Sequence, residues 1–282
     1  MQFRTEIESI KNAHPINHSS GIVMMGSCFT DEIGSRLSRD GFNVTFNPMG
    51  ALYNPFSIAT VIERATNGKI YSQDDLVFHE GYFHCLDFPS TFRNVNPDAL
   101  LEKINHDLIE TGRKLCAAET WIITFGTSRI YSLDGLRPIG NCHKLPSSRF
   151  EVSLLNVNDI VCRWNPLLNK HIIFTVSPIR HLADGLHGNM LSKSILLQAI
   201  EELQSQASST CACEYFPAFE IMLDDLRDYR FYAADMKHPS PVAVDYIYEK
   251  FSDTYFSPAT KKTALECRKK AIRAAHRPIL EQ

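Results

Sequence analysis

A chain of 282 residues with 44% hydrophobic side chains can fill a sizeable core, and it reads as a soluble globular protein. Its net charge of −3 lacks the cationic excess that neutralises phosphates, which argues against nucleic acid as a partner. No signal-peptide core opens the chain and no stretch approaches the length of a membrane span, so it reads as cytoplasmic and full length, without a membrane partner.

Taken in order, the chain alternates short apolar runs with helical stretches and has no linker to divide it, which predicts one domain. Gly21–Met25 ("GIVMM") is the first strand candidate, and "GSCFT" leads from it into the helical "TDEIGSRLSRD". Phe42–Phe46 follows, then the loop "NPMGALYNP" and a helix over "PFSIATVIERATNG". Leu76–Phe88 carries a Glu-Gly turn between two aromatic runs and predicts an inserted hairpin, placed to roof a pocket. A long helix precedes the strand Trp121–Phe125, and His171–Val176 supplies the next strand before the helix "NMLSKSILLQAIEELQSQ". Helices resume near Pro241, with a C-terminal helical extension from about residue 256 whose basic side chains read as a solvated face. Strands apolar on both faces, alternating with amphipathic helices, predict an α/β fold with a doubly wound, mostly parallel sheet.

Ligands collect at the carboxyl ends of the strands in such a sheet, which ranks the loops. Ser27 follows the first strand directly, where the N–H groups of a helix start can hold an oxyanion. Asp235 and His238 in "DMKH" can supply a base, the aspartate accepting the Nδ1 proton and leaving Nε2 for the serine. Cys28 is expected to point into the core as a small apolar group. Arg180 and His181 in "SPIRHLADG", with His143 in "GNCHKLP", are candidate substrate-binding residues. The eight cysteines read as thiols, and the spacing of Cys142, His143, Cys211 and Cys213 lacks a second paired motif, so no metal is expected there.

The run of motifs "GSCF", "NPMGALYNP", "TFGTSRIY", "NCHKLP", "SPIRHLADG" and "YFPAFEIMLDDLRDYRFYAADMKHPS" resembles the GSCFA family over most of the chain, with Thr30 where the family name has alanine. That family is similar to the SGNH (GDSL-like) hydrolases. The resemblance implies a flavodoxin-like three-layer sandwich and a cofactor-free serine hydrolase acting on an ester. An O-acyl esterase or acyltransferase working on a small, carbohydrate-like molecule fits that description. It makes Ser27 the nucleophile, with Asp235 and His238 completing a triad, and Gly50 an N–H donor to the oxyanion. Gly126, Thr127 and Ser128 stand where the superfamily has Gly-x-Asn, so the third donor falls to Ser128, Thr127 or Asn141. The missing asparagine also admits an alternative, a non-catalytic binding protein that retains the fold.

Overall fold

Apolar runs without alternation form strands where both faces of a sheet are covered. The computed structural model describes residues 4–11, 14–134, 137–207 and 211–275. Five parallel strands, β1 (Ile22–Gly26), β2 (Val44–Phe46), β6 (Thr120–Phe125), β10 (His171–Val176) and β11 (Cys213–Phe216), lie in the order β2-β1-β6-β10-β11. Met24 of β1 stands beside Phe46 on one side and Ile122 on the other. Counted within the sheet, this is the flavodoxin-like order 2-1-3-4-5, whose winding reverses between β1 and β6. The crevice of such a fold opens there, beyond Gly26 and Phe125.

Side chains alternate between two cores. Val23, Met25, Trp121, Ile123, Ile172 and Phe174 share one with α2 (Pro55–Thr66), α3 (Pro97–Ala117), α4 (Val157–Trp164) and α5 (Gly185–Gln206). Ile22, Met24, Ile122 and Ile173 share the other with α1 (Cys28–Arg39), α7 (Pro241–Tyr255) and the short α6 (Ala218–Glu220), which continues as a π-helical turn, Ile221–Leu226. Each fully buried aliphatic or aromatic side chain contributes about 1.5–3 kcal/mol, so the two cores dominate the stability. Four helices begin with the same device, an Asn or Ser N-cap followed by Pro: Asn54–Pro55, Asn96–Pro97, Ser240–Pro241 and Ser257–Pro258. The final helix, α8 (Pro258–Ala275), is tied down by Arg268, whose Nε donates to Asp40 Oδ1 at 2.9 Å.

Two small antiparallel sheets sit over the crevice end. The hairpin expected over Leu76–Phe88 is β3 (Leu76–His79) and β4 (Tyr82–Cys85), joined by Glu80 at φ 48° and Gly81 at φ 81°, with β5 (Arg93–Asn94) added to it. Positive φ at both turn residues suits the twist of a tight hairpin. The second sheet places β7 (Arg129–Leu133) between β8 (Pro138–Ile139) and β9 (Phe150–Leu154). Glu80, Tyr82 and His84 of the hairpin line a cavity together with Asn141 and His143. Leu86, just past β4, accepts hydrogen bonds from the N–H groups of Gly140 and Asn141 at 2.8 and 2.9 Å, so the hairpin supports the loop that carries Asn141.

Candidate active site

Gly26 ends β1 at φ 149°, and a Cβ there would lie 2.2 Å from the Thr124 carbonyl oxygen, so no other residue fits this corner. The next residue, Ser27, is extended and forms the N-cap of α1. Its Oγ accepts the Phe29 N–H at 3.3 Å, and the residue is only 1% exposed. Asn47 braces the turn: its Oδ1 accepts the Gly26 N–H at 2.9 Å while its Nδ2 donates to Asp31 at 2.9 Å. Cys28 is the first helical residue, and here the chain's direction changes. It packs against the second core, as expected, and also lines a cavity of about 490 Å³ that Ser27 does not reach. Cys28 Sγ lies 3.6 Å from His238 Nε2 and also meets the Tyr53 hydroxyl.

The loop before α7 holds the histidine. Asp235 Oδ1 accepts the backbone N–H groups of Lys237 and His238 at 2.9 and 3.1 Å, and Oδ2 meets His238 Nδ1 at 2.5 Å. An aspartate that closes its own turn in this way fixes both its carboxylate and the imidazole three residues on. The bond to His238, helped by the two backbone N–H groups, holds the Asp235 carboxyl well below the usual carboxylate range. Nδ1 therefore carries the proton, and Nε2 presents its lone pair to the thiol. Burial is the largest influence on Cys28 itself and raises its pKa, so the resting group is a neutral thiol that needs a base.

Arg180 clamps this loop from the end of β10. Its backbone N–H donates to Lys237 O and its guanidinium to Met236 O, both at 3.1 Å, while the same guanidinium lies over the Tyr232 ring. It lines the cavity, as does His181. Burial, with the nearby Lys193, pushes His181 down to about 4, so it is a neutral wall. Asn141 lines the cavity too: its Oδ1 accepts the His143 N–H at 2.9 Å, and its Nδ2 has no protein partner among the described residues.

Three more of the expected site residues lie outside the cavity. The Gly50 N–H donates to Asn47 O at 2.8 Å and so closes a turn, with φ 80° and Pro89 against its Cα explaining the glycine. Ser128 is fully buried, and its hydroxyl meets Ser192 Oγ at 3.2 Å. Thr127, its neighbour, is the one that lines the cavity. His143 lies behind the wall, its Nε2 held 3.1 and 2.8 Å from the carbonyls of Cys85 and Phe88. The burial that makes it structural lowers its pKa.

One residue beneath the site escapes any sequence motif. Lys193 of α5 is 1% exposed, and its Nζ donates to Gly126 O at 2.6 Å and Ser177 O at 2.7 Å, tying the ends of β6 and β10 together. Burial pushes its pKa from 10.5 down to about 7. Between these values the unfolded chain binds more protons than the folded one, so stability attributable to this residue rises with pH across that window. Lys193→Met leaves two buried carbonyls without donors, at a cost of about 2–4 kcal/mol. Urea unfolding should show the gap between wild type and Lys193→Met widening from pH ~7 to pH ~9 by up to roughly 2–3 kcal/mol. A gap independent of pH would mean that the amine does not titrate there.

No helix of the described residues is long and apolar enough to cross a membrane. Among those residues the one group of side chains close enough to share a metal ion is His14, His171 and Glu214, away from the cavity. No curated protein matches the chain. A solved structure titled as a carbohydrate esterase family 3 from Talaromyces cellulolyticus is similar to it, at 8% identity and a TM-score of 0.39 over 87% of this chain and 98% of that one. The GSCFA family matches residues 21–251, a span that contains the β1 turn, the Asn141 loop and the Asp235–His238 loop, and the chain belongs to that family.

Proposed function

We propose that this protein is an acyl-transferring enzyme, an esterase or acyltransferase, that uses Cys28 rather than Ser27 as its nucleophile. One observation carries the reading: Cys28 Sγ stands 3.6 Å from His238 Nε2, and the other ring nitrogen is on Asp235. A thiol, an imidazole and a carboxylate in this sequence of contacts are the parts of nucleophilic catalysis. His238 takes the thiol proton as sulfur bonds to the acyl carbon, and the carbonyl electrons move to oxygen. The Cys28 N–H at the start of α1 and the Asn141 amide are the donors available to that oxyanion. When the tetrahedral species collapses, the C–O bond breaks and His238 returns the proton to the departing alcohol. A thioester remains on Cys28. Water or an acceptor hydroxyl then attacks it, with His238 again as base.

The cavity volume suits a small molecule, and polar groups from Thr127, Asn141 and Tyr53 suit a hydroxyl-bearing acyl carrier such as an O-acylated carbohydrate-like molecule. Mixing the protein with p-nitrophenyl acetate should release a burst of p-nitrophenolate equal to the enzyme present, followed by slower turnover. A protein giving neither burst nor turnover with acetyl and butyryl esters would contradict the reading and favour a binding role.

A further inference from the structure

The opposite edge of the central sheet gathers three metal-ligating side chains. His171 opens β10, Glu214 lies on β11, and His14 comes from the segment before β1, with their donor atoms within 4.8 Å of one another. His14 Nδ1 is 2.9 Å from Glu214 Oε1, and His171 Nε2 is 3.3 Å from Glu214 Oε2. Two further groups orient the set. Thr120 Oγ1 lies 3.1 Å from His171 Nδ1, and the Tyr255 hydroxyl bonds to the Glu214 carboxylate. Outer partners of this kind fix the imidazole tautomer and the carboxylate at metal sites.

His171 Nε2 is buried and, despite its closeness to Glu214, has no well-aligned hydrogen-bond partner. Nδ1 sits 3.1 Å from the Thr120 hydroxyl, which can take its N–H and leave the Nε2 lone pair turned toward Glu214. In that tautomer a cation between the imidazole and the carboxylate satisfies both. His14 adds a third donor, and the three donor atoms, one from each residue, lie within 4.8 Å of one another, close enough for an ion with bonds of about 2.0–2.1 Å to draw them together.

We infer that His14, His171 and Glu214 form a binding site for a divalent transition-metal ion of the zinc type. Two imidazoles and a carboxylate are borderline ligands suited to zinc or cobalt rather than to calcium or magnesium. The ion would fasten the segment around His14 to the ends of β10 and β11. It would lie apart from the Cys28 cavity, so the inference stands independently of the proposed activity.

The test uses the full chain stripped with a chelator and titrated calorimetrically with zinc, in parallel with His14→Ala and Glu214→Gln. His14 is exposed, so His14→Ala keeps the fold testable even where a strand variant fails. All three proteins share the same thiols, so a difference between them isolates this site. We expect one ion per chain at micromolar affinity or tighter, weakened at least about tenfold in each variant, and cobalt bound there should show visible absorption without a thiolate charge-transfer band. No binding by the wild type, equal binding by His14→Ala, or a thiolate band from cobalt would each overturn the assignment.

Discussion

Cys28→Ala should abolish acyl transfer, with a fall in turnover on the order of 10⁴-fold or more, because the Cys28 thiol is the nucleophile that stands against His238 Nε2. Ser27→Ala should instead keep turnover within about tenfold and cost about 1 kcal/mol of stability, the ordinary loss when a helix N-cap is removed. The contrast follows from geometry. Ser27 gives its oxygen to the Phe29 N–H and is sealed at 1% exposure, whereas the Cys28 thiol faces His238 Nε2. Turnover of p-nitrophenyl acetate by the two variants, with urea unfolding to separate activity from folding, checks both halves. The reverse pattern would restore the serine.

Asp235→Asn should lower turnover by about 10³–10⁴-fold while leaving the loop in place. The Asp235 Oδ1 atom accepts two backbone N–H groups at 2.9 and 3.1 Å, and an amide oxygen can take over both. The amide nitrogen then occupies the Oδ2 position, facing His238 Nδ1 at a contact of 2.5 Å. Two donors cannot share that contact, so the imidazole adopts the other tautomer. Its Nε2 then carries the proton and can no longer receive one from Cys28. Steady-state kinetics and circular dichroism together measure this. A variant with near-normal turnover would show that the imidazole does not act through Nε2.

The central sheet was legible where the physics was one-dimensional. β1, β6 and β10 are buried on both faces, so their apolar runs stand out without partners being known. β11 was not, because a four-residue edge strand carrying Glu214 reads as a polar segment, and its cysteines drew attention to metal spacing instead. β7 and β9 depend on pairing across a long intervening segment, such as Leu133 with Phe150, which no local pattern announces.

The same division applies to the site. Asp235 and His238 lie in one turn, so their contact is local and the sequence expressed it. The proposed nucleophile, Cys28, is the neighbour of the serine that the motif singles out. Whether Ser27 or Cys28 faces the histidine depends on where the extended N-cap ends and the helix begins, and adjacent side chains at that junction point to different surroundings. Gly50 has a conformational reason to be glycine that sequence alone does not separate from an oxyanion role. Lys193 sits among helix-forming residues and looks like a surface lysine until the ends of β6 and β10 close around it.

The most direct measurement is the position of the acyl group itself. The protein is exposed briefly to p-nitrophenyl acetate, quenched in acid, digested and mapped by mass spectrometry. The account predicts acetyl on the Cys28 sulfur, released by neutral hydroxylamine as a thioester is; acetyl on the Ser27 oxygen would contradict it.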